Sequence, residues 1–151
     1  SREGGLAAPM IISGAGVSGA GGIDRSYLNV MDIAPTVLEL AQASYPTDGS
    51  VWPMLGESMV AHLGGSVDAV HADDYVTTLY HEGRAYVRQG KWKLVTLDRP
   101  FAESGFQLFD LGVDPGETND LSEVEPERFT SMLELWREQR EELGIVPLEE
   151  R

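Results

Sequence analysis

The most regular pattern along the chain is the alternation of polar and apolar residues between residues 75 and 111. Segments rich in β-branched and aromatic residues are separated by the turn-forming pairs Glu82-Gly83 and Gln89-Gly90. A fourth apolar segment, residues 106–111, precedes an Asp-Pro-Gly-Glu turn at residues 114–117. This pattern predicts a four-stranded antiparallel sheet with short connections.

A helical pattern follows the predicted sheet and begins at Pro126. Apolar residues recur there at steps of three and four until Gly144, and charged residues fill the opposite side. The apolar positions are Phe129, Met132, Leu133, Trp136 and Leu143. The pattern predicts a helix that packs on the sheet, with Trp92 and Trp136 in the core rather than on an exposed sugar-binding platform.

The first half of the chain indicates a different organisation. Residues 8–13 form a short apolar run that is typical of a buried parallel strand, and a glycine-rich loop follows at residues 14–22. Asp32 is expected to cap a helix with Pro35 in its first turn, and a second, shorter helix is expected within residues 55–63. The first of these helices is predicted to carry Val37, Leu38 and Ala41 on one face.

These patterns predict two parts, α/β in overall class and α+β within this chain. Residues 1–73 supply one strand and helices that need a larger sheet, whereas residues 74–151 form a self-contained antiparallel sheet with a helix. A strand without neighbours leaves apolar surface in water, so the chain by itself is expected to self-associate, to swap strands or to leave its first half poorly ordered.

Charge and composition exclude several partners. The 25 acidic and 11 basic side chains give a formal net charge of −14, and such a surface repels the phosphate backbone of nucleic acids. No run of about 18 apolar residues is present, so no membrane-spanning segment is predicted. The absence of cysteine excludes disulfides and thiolate metal sites, and it leaves a cytoplasmic or a periplasmic location open.

The isolated histidines give a weak signal for metal binding. His62 and His71 are expected to be solvated or partly packed rather than metal ligands. Asp73 and Asp74 lie close to His71, but they lack the spacing of a calcium loop and are expected to be solvated charges.

Four stretches of sequence share their order and spacing with one known family. They are Glu3-Gly4-Gly5 with Pro9 before the apolar run, residues 32–41 (DIAPTVLELA), residues 84–94 (RAYVRQGKWKL) and residues 107–121 (QLFDLGVDPGETNDL). Together they resemble the sulfatase family of the alkaline-phosphatase-like superfamily. The second stretch is the most specific, and the four cover nearly the whole chain.

The resemblance implies a fold and a chemistry. Sulfatases have a large α/β domain followed by a small domain with a four-stranded antiparallel sheet and a packing helix. Their nucleophile is a formylglycine made from the Cys or Ser of a C/S-x-P-x-R motif, and oxygen ligands hold a calcium ion beside it. This chain has no cysteine and no S-x-P-x-R motif. The resemblance therefore predicts the C-terminal part of a sulfatase that is inactive alone, with no catalytic or metal-binding residue, and with calcium and formylglycine in a missing N-terminal part.

The resemblance also places the end of the first predicted strand near the mouth of the substrate site. His81 and Tyr80 are accordingly candidate rim contacts to the organic group of a sulfate ester, and the alternative is that they are ordinary surface residues of a hairpin. Other hypotheses remain for the whole chain. It could belong to a phosphonate or phosphate monoester hydrolase or a phosphoglycerol transferase of the same superfamily, or it could be a binding or assembly module without enzymatic activity.

Overall fold

The computed structural model describes residues 2–19 and 21–147, which form two compact units. The first unit joins the described residues of 1–9 and 73–151, and the second consists of those of 10–72. The helices are α1 (Glu3–Leu6), α2 (Ile33–Leu40), α3 (Val60–Leu63) and α4 (Pro126–Glu142). The strands are β1 (Val76–His81), β2 (Arg84–Gln89), β3 (Trp92–Thr96) and β4 (Gln107–Asp110).

The four strands of the first unit form one antiparallel sheet in the order β1-β2-β3-β4, which confirms the predicted meander. Glu82 and Gly83 connect β1 to β2 with φ angles of +49° and +80°, as a two-residue turn with two left-handed positions requires. The second turn lies one residue later than expected. Gln89 still belongs to β2 and pairs with Trp92, and Gly90 takes the left-handed position at φ +55°.

The core of the first unit lies between α4 and one face of the sheet. The buried apolar residues of this core are Ala85, Val87, Leu94, Phe106, Leu108, Met132 and Trp136. Trp136 is fully buried, and its ring centroid lies 5.5 Å from that of Phe106 and 5.9 Å from that of Phe101. The helix ends as predicted, with Gly144 in the left-handed conformation at φ +63°. The predicted packing of the helix on the sheet is therefore confirmed.

The second unit contains less regular structure than its sequence pattern predicts. The apolar run at residues 8–13 forms no strand. A strand needs a neighbour to pair its backbone N–H and C=O groups, and the described part of the second unit has no strand to offer. Within residues 55–63, where a helix is expected, α3 covers Val60–Leu63, and Gly64 caps its carboxyl end.

Helix α2 forms where it was predicted. Of the three apolar residues predicted to share one face, Val37 is 57% exposed and Ala41 is exposed too, whereas Leu38 is half-buried. The buried residue of the helix is Thr36. Its hydroxyl donates to the Asp32 carbonyl at 2.6 Å and accepts the N–H of Met59 at 2.9 Å. Hydrogen bonds rather than apolar burial therefore determine which side of α2 faces the unit.

Candidate functional site

A fully buried lysine lies on the sheet face opposite α4. Lys93 is in β3 next to Leu94, and because side chains alternate along a strand, Leu94 enters the core while Lys93 points to the other face. The Lys93 Nζ atom lies 2.8 Å from Glu3 Oε1 and 2.9 Å from Glu117 Oε1. It also lies 5.2 Å from the centre of the Tyr86 ring. A buried ammonium group needs such partners, since an unpaired buried charge is strongly unfavourable.

The two carboxylates belong to residues that are 114 positions apart in the sequence. Glu3 is the first residue of α1, and its backbone N–H donates to Glu117 Oε2 at 2.6 Å. The Arg2 guanidinium donates to the Glu117 carbonyl and lies 5.3 Å from the centre of the Phe109 ring. Glu117 has a φ of +52°, so the turn holds its backbone in the left-handed region. These contacts fasten the amino-terminal segment to the sheet.

The charges within this ion cluster balance. Arg88 places Nη1 3.8 Å from Glu3 Oε2, so Lys93 and Arg88 face the carboxylates of Glu3 and Glu117. A calcium ion at these carboxylates would have to displace the two cations. Elsewhere in the described part of the chain, no group of three or more histidine, aspartate or glutamate side chains is arranged to hold a metal ion. The described residues therefore do not fit the calcium ion that the family implies.

The ion cluster brings together three of the four sulfatase-like stretches. Glu3 belongs to the Glu-Gly-Gly stretch, Lys93 to the stretch of residues 84–94 and Glu117 to the stretch of residues 107–121. The sequence pattern identifies the Asp-Pro-Gly-Glu segment as a turn and as part of the resemblance, and it assigns no role to Lys93. The alternation around Lys93 predicts a polar residue on a solvated face, so no local signal pointed to its burial.

The remaining sulfatase-like stretch, residues 32–41, organises the second unit through Asp32. This carboxylate is fully buried and accepts the backbone N–H of Asn29 at 2.6 Å and of Glu57 at 3.0 Å. His71 Nε2 lies 2.8 Å from Asp32 Oδ2, and His71 Nδ1 lies 3.5 Å from Glu57 Oε1. The expectation of a solvated or partly packed His71 is therefore wrong, since its side chain is only 2% exposed. The neighbouring Asp73 is exposed.

His62 has an acidic partner as well. Its Nε2 pairs with the Asp24 carboxylate, and its Nδ1 lies 3.2 Å from the Val67 carbonyl oxygen. The backbone N–H of Ser26 and the contact with His62 lower the pKa of Asp24 to about 2. The hydrogen bond to Asp24 raises the pKa of His62. Both shifts favour the charged forms, a carboxylate on Asp24 and an imidazolium on His62.

The two candidate rim residues lie on opposite faces of β1. Tyr80 is on the α4 side, where its ring centroid lies 5.7 Å from that of Phe101 in an edge-to-face contact. His81 is exposed and pairs across the strands with the exposed Arg84. The structure therefore brings His81 together with Arg84 rather than with Tyr80. Sequence alternation alone carried this information, because adjacent residues of a strand point to opposite faces.

No helix within the described ranges has both the length and the apolar composition needed to cross a bilayer.

Comparison with known proteins agrees with the four sequence motifs. An uncharacterised sulfatase of Schizosaccharomyces pombe is 28% identical over 148 aligned positions, and the match covers 95% of this chain and 26% of that protein. Arylsulfatase K of Rattus norvegicus is 27% identical over 129 aligned positions, and the match covers 79% of this chain and 22% of that protein. The chain thus spans about a quarter of the length of the curated relatives that it matches. No protein-family model matches the sequence.

A solved structure shares the fold. A protein determined in complex with its substrate, D-glucosamine-2-N,6-O-disulfate, superposes with a TM-score of 0.57 and 20% identity, over 80% of this chain and 25% of that one. The four-stranded antiparallel sheet with its packing helix matches the carboxy-terminal domain of sulfatases. This chain is therefore similar in sequence to sulfatases over most of its length, and its fold matches that of their carboxy-terminal domain.

Proposed function

We propose that this chain is the carboxy-terminal module of a sulfatase and takes part in sulfate ester hydrolysis only within the complete enzyme. The observation that carries the proposal is the ion cluster of Glu3, Lys93 and Glu117. A short turn motif can match by chance. Three sulfatase-like stretches from distant parts of the chain, joined through one buried lysine, support a likeness in tertiary packing as well as in sequence.

The chemistry of such an enzyme would lie outside this chain. The sequence has no cysteine and no S-x-P-x-R motif from which formylglycine could be made. Lys93, the one fully buried lysine of the described residues, is neutralised by two carboxylates and is not free to stabilise a sulfate. Formylglycine and a calcium ion would therefore belong to the remaining part of the enzyme, and this chain alone would hydrolyse no sulfate ester.

The module would contribute to the rim of the substrate site through His81. The chain is strongly acidic, so an anionic sulfate ester can approach only where cationic side chains reverse the local field. His81 and Arg84 are exposed cross-strand neighbours at the β1–β2 turn. Glu82 within that turn is paired with Arg99 at 2.8 Å, and this contact lowers the pKa of Glu82. Tyr80 would support the rim indirectly by holding the strand end against Phe101.

The proposal can be tested with a chimera based on rat arylsulfatase K, in which this chain replaces the segment that it matches. Release of 4-methylumbelliferone from its sulfate ester is measured for the chimera, the parent enzyme and the chain alone. We expect activity from the chimera and none from the chain. Hydrolysis by the chain alone, or an inactive chimera that is folded beside an active parent, would contradict the proposal.

The rim contact needs a separate measurement in the same chimera. His81→Ala is expected to raise KM for the aryl sulfate and to leave kcat unchanged, because a rim contact contributes to binding rather than to the chemical step. Val113→Ala is a matched control, since Val113 is 82% exposed in the same unit. An unchanged KM for His81→Ala would exclude this residue from the rim.

A further inference from the structure

The second unit has little apolar core. Among its described residues, Met59 is the one large apolar side chain that is buried, whereas Asp32, Thr36 and His71 are buried polar residues. Regular helices or strands are absent from three described segments of this unit, residues 21–29, 41–59 and 64–72. The stability of the unit therefore depends strongly on hydrogen bonds and ion pairs between these segments and the short helices.

His62 in α3 has an oxygen acceptor at each of its two ring nitrogens. Nε2 pairs with the carboxylate of Asp24, in the segment of residues 21–29. Nδ1 lies 3.2 Å from the carbonyl oxygen of Val67, in the segment of residues 64–72. A neutral imidazole has one N–H and donates to only one of these oxygens, whereas an imidazolium donates to both. The arrangement therefore favours the protonated ring, in agreement with the pKa of His62, which the hydrogen bond to Asp24 raises.

His71 has the same arrangement at a buried position. Its Nε2 atom lies 2.8 Å from Asp32 Oδ2, and its Nδ1 atom lies 3.5 Å from Glu57 Oε1. A ring with a proton on each nitrogen satisfies both carboxylates, whereas a neutral ring turns one nitrogen lone pair toward a carboxylate oxygen. Such a contact between two acceptors is unfavourable at a buried position. His71 therefore links the segments of residues 64–72 and 41–59 to the start of α2 most strongly when its ring is protonated.

The titratable groups that face the two imidazoles are mainly acidic. They are Asp24 and Asp68 at His62, and Asp32, Glu57 and Tyr27 at His71. The four carboxylates attract an imidazolium, and the Tyr27 ring centroid lies 6.0 Å from that of His71. Loss of the proton from either ring therefore removes the cation that these acidic groups share.

We infer that His62 and His71 form a proton-dependent clasp, which holds the irregular segments of the second unit together in mildly acidic solution and releases them as the pH rises. The clasp consists of contacts within this chain, so it goes beyond the proposed function and does not depend on it. A histidine whose pKa is raised in the folded unit stabilises that unit fully below its ordinary value of about 6.5, and the contribution is lost as the pH rises through the raised pKa. Asp24 stays a carboxylate in this range, because the backbone N–H of Ser26 and the contact with His62 lower its pKa to about 2.

The test follows amide hydrogen exchange of the whole chain by NMR at about pH 5.5 and about pH 8.5, corrected for the intrinsic effect of pH on exchange. Three backbone N–H groups report on the clasp. That of Ser66 donates to the Ala61 carbonyl, in the segment that follows α3. Those of Asn29 and Glu57 donate to the Asp32 carboxylate. We expect the protection factors of these three amides to fall at least about tenfold at the higher pH, because the irregular segments then open locally.

Two variants show whether the protons act at these histidines. In His62→Gln/His71→Gln, neutral side chains that bind no proton replace both imidazoles, so the protection factors should be low and should no longer change with pH. His81→Gln is the matched control, because His81 is exposed in the first unit and its replacement should leave the pH response unchanged. In the unsubstituted chain, the ring resonances of His62 and His71 should titrate over the pH range in which protection is lost.

Equal protection factors at the two pH values would overturn the inference. A full pH response in the double variant would overturn it too, because another group would then cause the response. An equal loss of protection at the N–H of Leu121, which donates to Leu108 in the first unit, would show a response of the whole chain and not of the clasp. If the double variant does not fold, the ring titration in the unsubstituted chain is the test, and ring resonances that titrate outside the range of lost protection would exclude the clasp.

Discussion

Replacing Lys93 by methionine is the most direct test of the ion cluster. The substitution conserves the length of the side chain and removes the charge that two carboxylates share. Arg88 remains 3.8 Å from Glu3, so that carboxylate keeps a cation. Glu117 keeps the N–H of Glu3 but loses its counter-ion while its side chain stays 1% exposed.

The expected loss of unfolding free energy follows from the Glu117 carboxylate, which stays buried without a counter-ion. Removing one partner of a buried ion pair costs about 3–5 kcal/mol, and the remaining N–H contact to Glu117 favours the lower end, about 3 kcal/mol. Lys91→Met is the matched control two residues away. Lys91 pairs with Asp110 at 2.6 Å but is 56% exposed, so solvent screening reduces its expected contribution to about 0–1 kcal/mol.

The measurement is urea unfolding followed by tryptophan fluorescence in a Trp52→Phe background. Trp52 belongs to the second unit, so the remaining Trp92 and Trp136 report on the first unit alone. Adding Glu117→Gln to Lys93→Met should recover part of the loss, because it removes the unpaired charge. Equal stabilities for the Lys93 and Lys91 variants would refute the reasoning that the ion cluster is buried and stabilising.

Three further outcomes are expected. Trp136→Ala should destabilise the first unit by about 3–5 kcal/mol in a melting experiment, because it leaves a large cavity in the core. Asp32→Ala should destabilise the second unit by about 2–3 kcal/mol, because it leaves His71 Nε2 without its carboxylate partner. The NMR chemical shifts of the His71 imidazole should change accordingly, and Asp32→Asn should cost less stability. The pair of Asp24 and His62 should stabilise the second unit most between about pH 4 and pH 6.5, because one pKa is lowered and the other is raised. Its contribution is lost as the pH rises through the raised pKa or falls through the lowered one, so His62→Phe should cost more stability at about pH 5 than at about pH 9.

The regular elements of the first unit could be predicted because they depend on local patterns. A period of two residues and paired turn residues define β1 to β3, and a period of 3.6 with Pro126 and Gly144 defines α4. The second unit was less predictable. The apolar run at residues 8–13 carries a strand pattern, but a strand is stable only beside another strand, and none is described there.

The sequence by itself determined the strand and turn order, the terminal helix and the likeness to sulfatases, because neighbouring residues carry this information. Only the tertiary structure decided that Lys93 is buried, since its partner Glu3 lies 90 residues away along the chain. It likewise decided that His71 is buried against Asp32 and that Val37 of α2 is exposed. A charged or apolar side chain is buried when residues distant in sequence pair with it or cover it. Local periodicity gives no information on which distant residues make those contacts.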